Sequence, residues 1–371
     1  MTNLLPSLLQ EVISKTNSTK GRICLKDTMP GAGEQERAAL LLNGGMSEAV
    51  SQRRLDKCAV CAAFYERNRI DPLIVHDGKP SVHCSRMRRT AGSSVAIPIR
   101  YRESVLGVMT LTSNRENHYS ETLLEICQRF THEMAYLIKR YQRHDLIKAT
   151  LDKDLVFMGT SDALGKVDRF LKKASQVDLP VLIVGEFGSE KMYIACSLHC
   201  EGPRRDHPFV EVGCPSYESH MFKSEVYDLF RQADGGTIFL KGIDELEYKL
   251  QYQLAELIES AGEPRTGHTK RSKLNEVRIV ASASRDPERL VEEGKFCPSL
   301  LGKIDFLKIR IAPLRERRED IEPLIEYFLR KYTGERTHHI SDEVLKLCQA
   351  YDWPSNVDEI ERVIARLAVM A

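Results

Sequence analysis

The stretch Leu179-Pro180-Val181-Leu182-Ile183-Val184-Gly185-Glu186-Phe187-Gly188-Ser189-Glu190-Lys191 decides how the second half of this chain is read. Four apolar residues, Val181 to Val184, run without interruption into a glycine. A buried parallel strand has this pattern, because both of its faces are covered and no alternation survives. Further short apolar runs follow at Pro208–Val212, Thr237–Leu240, Val277–Ser282 and Phe306–Ile311, with helical stretches between most of them. Strands separated by helical segments predict a parallel α/β sheet. Ahead of the sheet, Leu164–Ala174 is amphipathic. Beyond Pro313 the spacing predicts helices over Glu319–Tyr332, Ser341–Tyr351 and Asn356–Met370, a small helical lid on the α/β core.

The bulk numbers frame this reading. The 371 residues suffice for two or three domains, and 42% hydrophobic with 29% charged residues describes a folded chain, not a disordered one. Lys plus Arg total 54 against 53 acids, a balance that gives no support to a large nucleic-acid-binding surface. No apolar run reaches the length of a membrane span, and Met1 to Gln10 lacks the basic flank and small-residue site of a signal peptide. The expected compartment is the cytoplasm, with no membrane association and no direct DNA binding.

The first half has a different texture. Residues 1–20 are weakly patterned apart from Leu4–Leu9, and Pro72–Val75 is a short apolar run. Ser94–Ile99 and Val105–Leu111 read as two strands joined by the polar turn Tyr101–Ser104, with Gly107 at a point of close backbone approach. A helix follows from Ser120, on which Leu123, Cys127, Phe130, Met134, Leu137 and Tyr141 recur at steps of four, three, four, three and four. One stripe of this kind either closes a domain's own core or faces a partner helix, and the contact surface is the expectation carried forward. The hairpin and helix resemble a GAF domain, an antiparallel-sheet sensory fold that cups a small ligand or a metal.

Six blocks stand in order over about 200 residues: the stretch quoted first, PFVEVGC (208–214), LFRQADGGTIFLKGIDEL (229–246), VRIVASASRDPERLVEEGKF (277–296), APLRERREDIEPLIEYFL (312–329) and YDWPSNVDEIERVI (351–364). Together they resemble the AAA+ core of the sigma-54 activators. The fold this implies is a GAF-like α+β sensory domain over 20–145, an AAA+ parallel-sheet P-loop core over 155–312 and a helical lid over 313–371. The resemblance places Gly185, Gly188 and Lys191 in the phosphate loop, where glycines let N–H groups curl round phosphates and the lysine reaches their oxygens.

The same resemblance points to losses. Glu190 stands where the loop glycine is expected, and its carboxylate would point near a triphosphate; Met192 offers no oxygen ligand. Lys241-Gly242 replaces the Asp-Glu that holds magnesium and orients water, with Asp244 and Glu245 three residues further on. One alternative has Lys241 in the cation's place. Ser284 stands for the sensor asparagine, Cys297 and Lys303 for the trans-acting arginines, and Asp358 for the arginine of the terminal helix. The Gly-Ala-Phe-Thr-Gly-Ala loop that touches sigma-54 is missing between Cys214 and Val226, and no helix-turn-helix follows the lid. The expectation is therefore a pseudo-ATPase, a non-catalytic regulatory or scaffold protein with doubtful ATP or ADP binding. It would meet an active AAA+ activator or its own copy, as a dimer or higher oligomer. The alternatives are a non-hydrolysing nucleotide sensor and a transcription factor contacting polymerase or DNA without ATP turnover.

Ten cysteines remain to be placed. Seven sit mostly among apolar residues and read as buried thiols. Cys58 and Cys61 form a Cys-x-x-Cys pair, which His83 or Cys84 would close into a site for zinc first and iron second. A reduced buried pair and an occasional disulfide are the competing readings. His338-His339 reads as surface.

Overall fold

A computed structural model describes residues 4–25, 38–43, 46–51, 60, 63–64, 71–75, 92–101, 104–216, 222–262, 277–333 and 340–370. Cys58, Cys61, His83, Cys84 and His338-His339 lie outside the described residues. The chain divides into two compact units, Met1–Asp145 and Leu146–Ala371.

In the first unit, helix α1 (Leu4–Lys15) precedes strands β1 (Lys20–Leu25), β2 (Ala38–Asn43), β3 (Met46–Ser51), β4 (Leu73–Val75), β5 (Ser93–Tyr101) and β6 (Ser104–Ser113). They form one antiparallel sheet in the order β3-β2-β1-β6-β5-β4. The hairpin expected from the alternation is β5–β6. Gly107 pairs with Leu25 on β1, and a Cβ there would come 2.8 Å from Cys24 O, so the backbone approach read from the sequence is real. The weakly patterned N-terminus is a helix because Leu5, Leu9 and Val12, four and three apart, bury completely in the unit's core.

Helix α2 (Glu121–Leu151) carries the apolar stripe. Cys127, Phe130 and Met134 pack with Ile23, Leu25, Val95, Ile97 and Met109 of the sheet. Leu137 and Tyr141 are buried as well. This corrects the expectation of a partner-facing surface: the stripe is spent inside the chain, since a one-faced antiparallel sheet needs a helix to cover its apolar side.

The second unit holds α3 (Asp162–Ala174), β7 (Val181–Val184), α4 (Lys191–Cys200), β8 (Phe209–Gly213), α5 (Phe222–Gln232), β9 (Thr237–Lys241), α6 (Tyr248–Gly262), β10 (Arg278–Ala283), α7 (Pro287–Glu292), α8 (Pro298–Ile304) and β11 (Leu307–Arg310). The five strands are parallel in the order β11-β7-β10-β9-β8. Alternate residues feed opposite cores. Leu182, Val184, Leu240 and Ala281 belong to one, and Val181, Ile183, Phe239 and Val280 to the other. That two-sided burial is why the strands read as unbroken apolar runs.

The lid is α9 (Ile321–Thr333), α10 (Asp342–Ala350) and α11 (Asn356–Met370). Ile321, Leu324, Ile325 and Phe328 of α9 are buried, as are Val357, Ile360 and Ile364 of α11, at the three- and four-residue steps of apposed helix faces. Among the described residues no helix is long and apolar enough to cross a membrane.

Candidate nucleotide-binding site

The carboxyl ends of parallel strands are where ligands gather in open α/β sheets. The N–H of Gly185 donates to Ala283 O at 3.0 Å, which extends the β7–β10 ladder by one step before the chain turns. The turn is closed by Ser189, whose N and Oγ both donate to Glu186 O, at 3.3 and 2.7 Å. A Cβ on residue 185 would stand 2.6 Å from Ser189 Oγ, so this turn needs glycine at its start. Gly188 has φ +70°, and a Cβ there would overlap Ser355 O of the lid.

Lys191 opens α4 and folds its ammonium over the loop, donating to Gly185 O at 2.6 Å, Glu186 O at 2.7 Å and Ser284 Oγ at 3.5 Å. Burial lowers its pKa, while the carboxylates of Asp244 and Asp358 act in the opposite sense. Gly185, Gly188 and Lys191 thus form one loop, as their spacing implies. Beside its first residues lies a cavity of about 520 Å³, lined in part by Gly185, Glu186, Ser284, Arg285, Arg289 and Arg315. Such a volume falls in the ordinary range of small-molecule sites.

Glu190 stands elsewhere than its sequence position suggests. It adopts the left-handed conformation, φ +67°, that a glycine would take there. Its carboxylate turns away from the loop mouth, accepting a hydrogen bond from Arg317 Nη2 at 3.2 Å, and is almost wholly buried. The carboxylate is thus paired with Arg317 instead of standing open to solvent beside the loop. Burial pushes the Glu190 carboxyl up to about 7, against the opposing pull of Arg317. Oε1 of Glu190 and Nη1 of Arg317 are both buried without a hydrogen-bond partner among the described residues.

This sets a pH dependence. An acid whose pKa is higher folded than unfolded binds more protons in the folded state, so stability falls as pH rises between the two values. For Glu190 that window runs from about 4.5 to about 7. Glu190→Gln removes the titration. Relative to wild type it is expected to gain about 1–3 kcal/mol at pH 8, with the difference shrinking below pH 5. Denaturant titrations at the two pH values check this, and an equal effect at both would count against it.

The lid grips the loop from the other side. Asn356 Nδ2 donates to Phe187 O at 2.8 Å, its Oδ1 accepts from Leu314 N at 2.7 Å, and Val357 N donates to Gly188 O at 3.1 Å. Arg315 clasps Glu186 with two bonds, at 2.6 and 2.7 Å, and holds that carboxyl below its usual pKa. None of this clamp was visible in the motifs; Asn356 carries no chemical signature outside its place in three dimensions.

At the end of β9, Lys241 lies opposite Ser282 of β10 and Gly213 of β8. Its side chain is exposed and makes no hydrogen bond or ion pair with the described residues. Gly242 follows at φ +71° and leads into a short 3-10 turn, Ile243–Glu245. Asp244 is buried there and accepts from Ser284 N at 3.0 Å, Arg285 N at 3.1 Å and Arg285 Nε at 3.2 Å. It ties the ends of β9 and β10 together. Cys297 is buried as the N-cap of α8, and Lys303 pairs with Glu259 at 3.2 Å. Asp358 sits in the first turn of α11, and burial raises its pKa against the pull of Lys241 and Lys191. Among the described residues no group of three or more His, Cys, Asp or Glu is placed to hold a metal.

A five-stranded parallel sheet, a lysine-bearing loop after its inner strand β7 and a helical lid pinned to that loop define a P-loop core with a lid. Residues 158–314 match the sigma-54 interaction domain family and residues 315–371 the AAA+ ATPase lid domain family. The region from 158 to 371 is thus an AAA+ region of the sigma-54-activator type. A limonene hydroxylase of Geobacillus stearothermophilus is 33% identical over 261 residues, 64% of this chain and 48% of that protein. The Nif-specific regulatory protein of Azotobacter vinelandii is 32% identical over 231 residues, 58% of this chain and 44% of that protein. The chain spans about half the length of these curated relatives. Among solved structures, NtrX of Brucella abortus in complex with ADP has a TM-score of 0.54 at 22% identity, over 69% of this chain and 60% of that one. Its complex with ATP gives 0.54 at 23%, over 69% and 57%. The likeness to NtrX is one of fold.

These findings correct the expectation of a non-catalytic scaffold and pseudo-ATPase with doubtful nucleotide binding. The matched proteins include named transcriptional regulators, and a protein of this fold is seen with both ADP and ATP. The expectation rests on the identities of Lys241, Gly242, Ser284, Cys297, Lys303 and Asp358, and at the loop itself Glu190 is buried against Arg317. The zinc or iron reading is set aside too: its four residues lie outside the described residues, and no group placed to hold a metal occurs among the described residues.

Proposed function

We propose that this chain is a nucleotide-binding AAA+ regulator of transcription, with Gly185, Gly188 and Lys191 as its phosphate-binding residues. The observation that carries the reading is the loop geometry, in which Lys191 Nζ is held 2.6 Å from Gly185 O at the end of the inner strand β7; Gly185 and Glu186 also line a ligand-sized cavity, which Gly188 and Lys191 do not. A GAF-like sensory domain over 20–145 precedes a core over 155–312 and a lid over 313–371. The six-stranded antiparallel sheet covered by helices and the family matches over 158–314 and 315–371 support that division. The regulator acts as an oligomer of its own copies or with another AAA+ activator. Because the Gly-Ala-Phe-Thr-Gly-Ala sequence is absent, its contact with the transcription machinery uses a different surface.

Titration calorimetry of the purified full chain with ATP and with ADP tests the reading, run once with a chelator and once with magnesium. Saturable binding with a Kd at or below about 100 μM, some 5 kcal/mol or more in free energy, is the expected result. No heat in either buffer with nucleotide at millimolar concentration would overturn it.

A further inference from the structure

Proteins with a phosphate loop of this kind normally take their nucleotide with magnesium, a small, hard ion that demands six oxygen ligands in octahedral array. The donor set at the end of β9 does not fit that ion. Lys241 is an ammonium, Gly242 has no side chain, and Met192, just after the loop lysine, offers only a thioether. Asp244 is fully buried, with its oxygens already taken by three N–H donors from Ser284 and Arg285. Among the described residues Glu245 and Asp358 are the carboxylates left near the two lysines, and an ion held by them would face two ammonium groups, since Lys241 and Lys191 lie within electrostatic reach of each other and of Asp358.

The same arrangement suits a different ligand. Two ammoniums, one on the loop and one two strands away in the sheet, flank the carboxyl end of β10, where Ser282 pairs with Lys241 and Ala283 with Val184. Lys191 is already committed to loop carbonyls, whereas the Lys241 side chain makes no hydrogen bond or ion pair with the described residues and has only the longer-range attraction of Asp358. A compact ammonium on a flexible stem binds phosphate as a point charge and needs no fixed coordination geometry. We infer that this site takes ATP as the free, metal-less anion, with the Lys241 ammonium supplying the charge neutralisation that magnesium supplies elsewhere. The inference rests on the reading of the loop as a nucleotide site and names the form of the ligand.

Calorimetric titration with unlabelled ATP, in EDTA and in excess magnesium chloride, separates the two claims. The expected result for wild type is tight binding in EDTA that weakens at least tenfold in magnesium, because the ion removes the free nucleotide. In EDTA, Lys241→Ala should bind at least tenfold more weakly than wild type, and Lys241→Arg should stay within about threefold. The exposed position of Lys241 leaves the fold intact, which circular dichroism checks. Wild-type affinity that is unchanged or raised by magnesium overturns the inference while leaving a nucleotide site in place. So does an affinity in EDTA that ignores Lys241→Ala. Absence of binding in both buffers overturns the underlying reading and this inference with it.

Discussion

Replacing Asp320 by alanine is expected to destabilise the second unit by about 3–5 kcal/mol, the cost of stripping one partner from a buried charge network. The Asp320 side chain is fully buried. It accepts hydrogen bonds from Thr160 N at 2.7 Å, Ser161 N at 2.9 Å and Ser161 Oγ at 2.6 Å, and lies 3.8 Å from Arg317 Nη1. Gly159, at φ +139°, passes so close to the carboxylate that any Cβ there would overlap it. Alanine would leave three donors without an acceptor. It would also leave the buried Arg317 with only Glu190 for a counter-charge. In a unit of this size the loss corresponds to a fall in melting temperature of roughly 10 °C. Asp320→Asn keeps the shape and should cost less. Calorimetric melting of both variants checks the account; a shift under about 2 °C for the alanine variant would refute it.

The second large effect concerns the ligand. Lys191→Ala should weaken ATP binding by about a hundredfold, since a charge-assisted contact to phosphate is worth roughly 3 kcal/mol where solvent is partly excluded. The lysine also holds the loop's own carbonyls, so its removal loosens the turn between Gly185 and Ser189. Calorimetry with ATP measures the affinity, and thermal melting without nucleotide shows how much of the change is structural. Full-strength ATP binding by the variant would remove Lys191 from the site.

The parallel sheet was legible in the sequence because its strands are buried on both faces. Val181–Val184 needed no more than four apolar residues and a following glycine to be recognised. The hairpin β5–β6 was legible through its turn and through Gly107, whose tight approach to β1 leaves no room for a side chain. The loop residues Gly185, Gly188 and Lys191 were legible because they are neighbours along the chain. What escaped was set by partners distant in sequence. Glu190 looked like an intruder at the loop mouth, and only the fold supplies Arg317, 127 positions away, to draw it aside. The stripe on α2 carried the right spacing for an interface, but spacing cannot say whether the covering surface is a sheet of the same chain. Helix α1 was missed although Leu5, Leu8, Leu9, Val12 and Ile13, all in or against the unit's core, recur at three- and four-residue steps.

The clamp between lid and loop gives the protein a built-in optical probe. Trp353 is the single tryptophan of the chain. It is 5% exposed, donates from its indole nitrogen to Cys348 O at 2.8 Å and meets Tyr351 edge to face. Asn356 N donates to Trp353 O at 2.7 Å, so the indole sits one hydrogen bond from the residue that holds Phe187 and Leu314. Indole emission shifts in colour and intensity with the polarity around the ring. Any rearrangement that releases Asn356 from the Gly185–Lys191 loop would therefore be seen as a change in intrinsic fluorescence, with no dye attached and no other tryptophan to blur the signal.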